Sequence, residues 1–174
     1  MDDSSTALPL RCVKPDRSHG SGMWELAKKT SLDLNSAYKY IMMAEYFADT
    51  CVAAVEHEQV VGFITGFIKP DESDVLFIWQ VGVDPGQQGK GLAFTMLRKL
   101  LQREQCKNVR YVEATITAEN KASQALFKKL ATSFSTSYAV RETFPEEILP
   151  GNARTEFTYR IGPLPLSVQL KGDE

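Results

Sequence analysis

The sequence predicts an α/β fold in which a mixed, mostly antiparallel, twisted sheet carries helices on both faces. Three observations predict it. Apolar runs of strand length and segments of helical spacing follow one another in the order β-α-α-β-β-β-α-β-α-β-β. A glycine-rich loop stands between a strand and an amphipathic helix in VDPGQQGKGLAFTMLRKLL, Val83 to Leu101. Residues 74–131 form a strand–loop–helix–strand–helix unit, whose two strands must lie parallel with a right-handed crossover.

Taken in order, LRCV (10–13) is a short strand and DRSHGSG (16–22) reads as a loop. MWELAKK begins a helix that ends near Ser31. Leu34, Ala37, Tyr38, Ile41 and Ala44 keep helical spacing and set a second helix, with Asn35 or Ser36 as its cap. TCVAAVE (50–56) and QVVGFITGFI (59–68) are strands around a hairpin turn at EHEQ, and DVLFIWQVGV (74–83) is apolar enough for the middle of a sheet. After the glycine loop, Leu92, Ala93, Met96, Leu97, Leu100 and Leu101 put one continuous helical face on the core. NVRYVEATIT (108–117) is a strand, and Asn120 caps a helix over 120–131. FSTSYAVRE and TEFTYRIG are two last strands, joined by a loop bearing Pro145, Pro150 and Gly151. This organisation predicts one domain over 10–163, with a disordered, polar N-terminal tail at 1–9 and a C-terminal tail at 164–174.

The totals narrow the function. With 174 residues, the chain can bury a core without disulfides or metal. A net charge of −2 with no basic run argues against nucleic acid and anionic membrane as partners. Cys12, Cys51 and Cys106 have no CxxC spacing, so neither a disulfide framework nor a zinc site is indicated, and a reduced cytoplasmic setting fits. MDDSSTALPL lacks the features of a signal peptide, and no apolar run reaches the length of a membrane span.

A strand-to-helix turn leaves unpartnered N–H groups at the positive end of the helix dipole. Gly89 and Gly91 free the backbone of side chains there, and Lys90 adds positive charge, so QQGKGLA suits a pyrophosphate. Leu-Ala after Gly91 rejects an ATP loop of GxxxxGK[ST] type, and Gly89 and Gly91 are not followed by the third glycine that a dinucleotide loop carries, here at 94. The remaining form, Gln88-Gly89-Lys90-Gly91-Leu92-Ala93 after Val-Asp-Pro, resembles the coenzyme A loop of GNAT-type N-acetyltransferases. The Leu126-Phe127 pair in the helix after Asn120 is similar to that superfamily's second motif.

The resemblance implies the GNAT fold, with the central parallel strands splayed and acetyl-CoA as cosubstrate. It implies binding of coenzyme A by Val81, Gly82, Val83, Gln88, Gly89, Lys90, Gly91, Leu92, Ala93 and Asn120, and direct attack of an amine on the thioester. No nucleophilic triad is then needed, and His19 and His57, in predicted loops, carry no catalytic signal.

For the acceptor, the superfamily's pocket segments supply Asp33, Glu113 and Glu156 as carboxylates, Tyr38 and Trp79 as aromatic walls, and Thr115 and Gln80 as neutral polar groups. Such a set suits a small cationic amine. Each has an ordinary alternative: Glu113 facing solvent, Asp33 as a helix cap, Trp79 in the core. LDLNSAYKY, FIWQVGVDPGQQGKGLA, ATITAENKASQALF and EFTYRIGP together resemble the L-2,4-diaminobutyrate acetyltransferase family of ectoine biosynthesis. That closer resemblance implies transfer to the N4 amine of L-2,4-diaminobutyrate by a homodimer that needs no metal. Asp33, Tyr38, Trp79, Thr115 and Glu156 then bind the diamino acid, and Glu156, Glu113 and Asp33 are the candidate catalytic carboxylates. Phe127 stands where the superfamily commonly has a tyrosine that protonates the leaving thiolate, which leaves water, Tyr138 or Tyr38 for that step, or an unassisted departure. Ala153 stands where a histidine is usual. The alternatives are a GNAT enzyme for another small amine and a non-catalytic acyl-CoA-binding module.

Overall fold

The computed structural model describes residues 9–151 and 153–166, so the tail expectations for 1–8 and 167–174 lie outside the described residues. The elements are β1 (Arg11–Val13), α1 (Arg17–Ala27), α2 (Ala37–Tyr46), β2 (Val52–Glu56), β3 (Gln59–Lys69), β4 (Glu72–Val83), α3 (Leu92–Leu101), β5 (Tyr111–Thr117), α4 (Lys121–Ser133), β6 (Tyr138–Phe144) and β7 (Glu156–Ile161). The strand order is β1-β2-β3-β4-β5-β7-β6 in a seven-stranded sheet. β4 and β5 pair in parallel, as the crossover requires, whereas β1–β2, β2–β3, β5–β7 and β6–β7 are antiparallel. The parallel partners are Val75↔Tyr111, Leu76↔Val112 and Phe77↔Glu113, while β4 runs on to Val83 and β5 to Thr117.

The chain divides into two compact units, one of residues up to Thr65 with Gln80–Lys99, the other of Gly66–Trp79 with Leu100 onward. In the first unit, Met23, Leu26 and Ala27 of α1 meet Tyr40 and Ala44 of α2 and Phe63 of β3. The Tyr40 and Phe63 rings meet edge to face, with centroids 5.7 Å apart. His57 (φ 48°) and Glu58 (φ 60°) make the tight β2–β3 turn with the positive φ pair of a type I′ hairpin.

Two sequence expectations need correction here. The stretch DRSHGSG is helix rather than loop, because Asp16 caps α1 by accepting from the Ser18 N–H at 2.8 Å, and His19 Nδ1 accepts from the Asp16 N–H at 3.1 Å. Gly20, which reads as a turn residue, is small for packing: a Cβ there would lie 2.5 Å from the Ile41 Cα. In α2, the buried face is Lys39, Tyr40, Met43 and Ala44, so Tyr38 points outward and Leu34 precedes the helix.

In the second unit, β7 lies between β5 and β6, so the last strand in sequence becomes an inner one. Val112, Ala114 and Ile116 of β5, Tyr159 and Ile161 of β7, and Phe127 and Leu130 of α4 are buried. Asn120 caps α4, its Oδ1 accepting from the Ser123 N–H at 3.1 Å.

Candidate active site

The glycine loop belongs to the first unit. β4 ends at Val83, and Asp84 folds the chain over by accepting from the Gly86 N–H (2.9 Å) with its carboxylate and from the Gln87 N–H (2.8 Å) with its carbonyl. Gly89 and Gly91 follow with φ of 77° and 78°, and a Cβ on either would meet nothing within 4 Å. Backbone conformation therefore demands these glycines, and open space lies beside them for a ligand. The first intrahelical bond of α3 runs from the Thr95 N–H to the Gly91 carbonyl at 3.0 Å, and the helix has no acidic residue in its first turn. Its leading N–H groups and the nearby Lys90 thus fit an anion such as the pyrophosphate of coenzyme A.

The loop is tethered by side chains. Gln87 donates to Glu56 Oε2 at 2.8 Å, Lys90 Nζ donates to Gln87 Oε1 at 3.4 Å, and Gln88 donates to the Val83 carbonyl at 3.3 Å. Gly82 is small for another reason, since a Cβ would lie 2.5 Å from the Phe63 ring. Its sequence neighbours Val81 and Val83 are half-buried, as is Ala93 at the start of α3, where Leu92 is buried.

Of the acceptor candidates, Asp33 and Tyr38 also lie in the first unit, both exposed, Tyr38 at 71%. Asp33 is not the cap of α2, because Ser36 holds that position. Its carbonyl accepts from Gln80 Nε2 at 2.8 Å and from Asn35 Nδ2 at 3.3 Å. Gln80, 7% exposed, accepts at Oε1 from Lys39 Nζ and from the Tyr40 hydroxyl, both at 2.9 Å. Burial holds the Lys39 pKa down at about 8, with the charge of Cys51 a smaller opposing influence.

The second unit brings Trp79, Glu113, Thr115 and Glu156 onto one face. Strand partners share a face and alternate residues point the same way. The registers Glu113↔Arg160, Thr115↔Thr158 and Thr117↔Glu156 therefore make a polar ladder, with Val112↔Ile161, Ala114↔Tyr159 and Ile116↔Phe157 as an apolar ladder behind it. Phe77↔Glu113 sets Phe77, and Trp79 two residues on, on the polar side. Trp79 is 44% exposed and so is not a core residue, while Thr115 and Glu156 are half-buried. Tyr138 belongs to the opposite face, stacked on Tyr159 with centroids 6.3 Å apart. Phe127 is buried in the core.

Glu113 is only 2% exposed, so it does not face solvent. Arg160 donates to its Oε1 at 2.7 Å and Lys69 to its Oε2 at 3.3 Å, and both cations also bind Glu72. The hydrogen bond from Lys69, then that from Arg160, keeps the Glu72 pKa low, and the Glu72 bond holds the Lys69 pKa high. The Arg160 guanidinium stacks 4.0 Å from the Tyr111 ring centroid. Two acids and two bases balance each other in this cluster.

Reasoning from sequence missed the Lys39–Gln80–Tyr40 network and the partners of Glu113. The second had a signal in the alternation of EATIT with EFTYR, but using it requires knowing that β7 pairs with β5. A lysine on an otherwise apolar helix face was the signal for the first.

A model of the acetyltransferase (GNAT) family matches residues 21–131. L-2,4-diaminobutyric acid acetyltransferases of Halalkalibacterium halodurans and Marinococcus halophilus are 57% and 56% identical, over 87% and 86% of this chain and 80% and 88% of their own lengths. The chain belongs to the L-2,4-diaminobutyric acid acetyltransferases of the GNAT family. Among solved structures, it is similar to diaminobutyrate acetyltransferase EctA from Paenibacillus lautus in complex with its substrate L-2,4-diaminobutyric acid and coenzyme A. That likeness has a TM-score of 0.86 at 35% identity and covers 89% of this chain and 95% of that one. The fold of this family is the GNAT fold, in which the parallel β4–β5 pair is central. Among the described residues no helix is long and apolar enough to cross a membrane.

Proposed function

We propose that this enzyme transfers the acetyl group of acetyl-CoA to the N4 amine of L-2,4-diaminobutyrate. The observation that carries this reading is the joint presence of an anion-ready glycine loop and family membership at 57% identity to a diaminobutyric acid acetyltransferase. Val81 to Val83, Gln88 to Ala93 and Asn120 are assigned to coenzyme A. Asp33, Tyr38, Trp79, Thr115 and Glu156 are assigned to the diamino acid, where aromatic faces and carboxylates favour a cationic amine.

The neutral amine attacks the thioester carbonyl carbon, a C–N bond forms, the C–S bond breaks, coenzyme A leaves as thiolate, and the nitrogen sheds a second proton as it becomes an amide. The amine has a pKa of about 10 in water, by the lysine reference, so a base must first take its proton. Glu156, half-buried at the start of β7, takes it through water, and Asp33 orients the ammonium. Glu113 does not serve as this base, because both its oxygens hold cations. The proton shed by the new amide nitrogen reaches the thiolate through water, since Phe127 has no hydroxyl and Tyr138 lies on the opposite face of the sheet from Glu156; Tyr38 is the other hydroxyl open to that step. As family resemblance implies, the enzyme works as a cytoplasmic homodimer in ectoine biosynthesis under osmotic stress.

The test is thiol release from acetyl-CoA with a panel of L-2,4-diaminobutyrate, ornithine, lysine and putrescine. Release with diaminobutyrate above all others supports the reading. Preference for another amine removes the substrate, and coenzyme A binding without release removes the catalysis.

A further inference from the structure

Gln80 is the one buried polar residue of β4, and in sequence it sits between Trp79, assigned to the acceptor, and Val81, assigned to coenzyme A. Its carboxamide can have only one orientation. The oxygen faces two donors, Lys39 Nζ and the Tyr40 hydroxyl, each at 2.9 Å, and uses both its lone pairs. The nitrogen faces an acceptor, the Asp33 carbonyl, at 2.8 Å. A flipped amide would set its N–H donors against the Lys39 ammonium and its oxygen against the Asp33 carbonyl.

This locked side chain joins α2, through Lys39 and Tyr40, and the segment before α2, through Asp33, to the middle of β4. It does so on the inside, while the carboxylate of Asp33 stays exposed. No capping bond from Ser36 shares this work, because its side chain makes none to the helix. The Asn35 amide adds a second, longer bond to the same carbonyl, at 3.3 Å, but it belongs to the same short segment and anchors it to nothing else through that contact.

We infer that Gln80 is a positioning residue for acceptor recognition: its amide N–H fixes the backbone of Asp33 to β4, and so holds the Asp33 carboxylate where it meets the ammonium of the diamino acid. The inference rests on the proposed function, through the assignment of Asp33 to the acceptor.

Two substitutions separate positioning from mere support. Gln80→Glu keeps an acceptor for Lys39 and Tyr40 but turns the donor facing Asp33 into an oxygen. Gln80→Met removes all three bonds and leaves Lys39 and Tyr40 buried without this acceptor. The full-length enzyme is assayed for KM toward L-2,4-diaminobutyrate, KM toward acetyl-CoA, kcat and thermal unfolding midpoint. In both variants KM for the diamino acid should rise by about tenfold or more, with KM for acetyl-CoA within about twofold of wild type. Only Gln80→Met should lose thermal stability substantially. Acceptor recognition then follows the Asp33 bond, which both variants lose, rather than stability, which one loses.

A wild-type KM for diaminobutyrate in Gln80→Glu overturns the inference, and so does a defect confined to Gln80→Met. Asp33→Asn distinguishes the two layers. If it raises KM for diaminobutyrate while Gln80→Glu does not, the inference alone fails. If Asp33→Asn is as active as wild type, the assignment of Asp33 fails and the inference falls with it.

Discussion

The glycine loop and the β5–β7 ladder are two ways of preparing a surface for a ligand. The loop does it with backbone: two residues of positive φ, exposed, with open space where side chains would have been. The ladder does it with alternate side chains on paired strands, polar on one face and apolar behind. The first is local, so five or six residues define it. The second is non-local, because Glu113 and Arg160 are 47 residues apart in sequence and meet only through strand pairing. Under the proposed assignments, the local loop would serve a donor common to a whole superfamily and the ladder's side chains an acceptor peculiar to one family.

The largest effect should come from breaking the ladder at its buried end. Arg160→Met leaves Glu113 buried with Lys69 but without its shorter ion pair, and stability to urea should fall by about 3 kcal/mol. The same substitution should leave KM for acetyl-CoA near wild type, since the loop does not depend on the ladder. A fall of well under about 1 kcal/mol would show the cluster to be solvated surface chemistry instead.

Lys39 gives a pH-dependent counterpart in the loop's own unit. Its pKa is lowered from 10.5 to about 8 in the fold, so the folded state disfavours the charged form. The cost is full below about pH 8 and is relieved as pH rises toward 10.5, by about 3 kcal/mol if the whole shift is expressed. Denaturant midpoints of wild type minus Lys39→Met should therefore climb across that window. A flat difference would mean that Lys39 titrates as it does in the unfolded chain.

Next in size, Glu156→Gln should lower kcat by about 100-fold, with thermal stability little changed, because an amide cannot take the amine's proton. Comparable turnover would remove Glu156 as the base. Smaller again, Gly91→Ala must hold a side chain at φ 78°, at a cost of about 1 kcal/mol, and should raise KM for acetyl-CoA without altering KM for the diamino acid. Equal changes in both would erase the distinction between the two regions.

How far the sequence could be read follows the same division. Every strand and helix was legible in order, and the glycine loop before α3 was legible as a motif, since each depends on local pattern. The start of α1 was not, because Gly20 imitates a turn while serving the close approach of α2, which only the packed structure reveals. The buried face of α2 was not legible, because Lys39, with its partner Gln80 far away in sequence, takes an inward place. Glu113 and Glu156 looked equivalent as candidate carboxylates. They differ through Arg160 and Lys69, which reach Glu113 from β7 and β3.

The most direct test of the account is the product itself. Wild-type enzyme is given acetyl-CoA carrying a carbon-13 carbonyl and L-2,4-diaminobutyrate labelled with nitrogen-15 at N4 alone, and the product is examined by NMR. A carbonyl resonance split by coupling to nitrogen-15 is the predicted result. An unsplit resonance, with the acetyl group on the α-amine, or thiol release without an acetylated diamino acid, would contradict it.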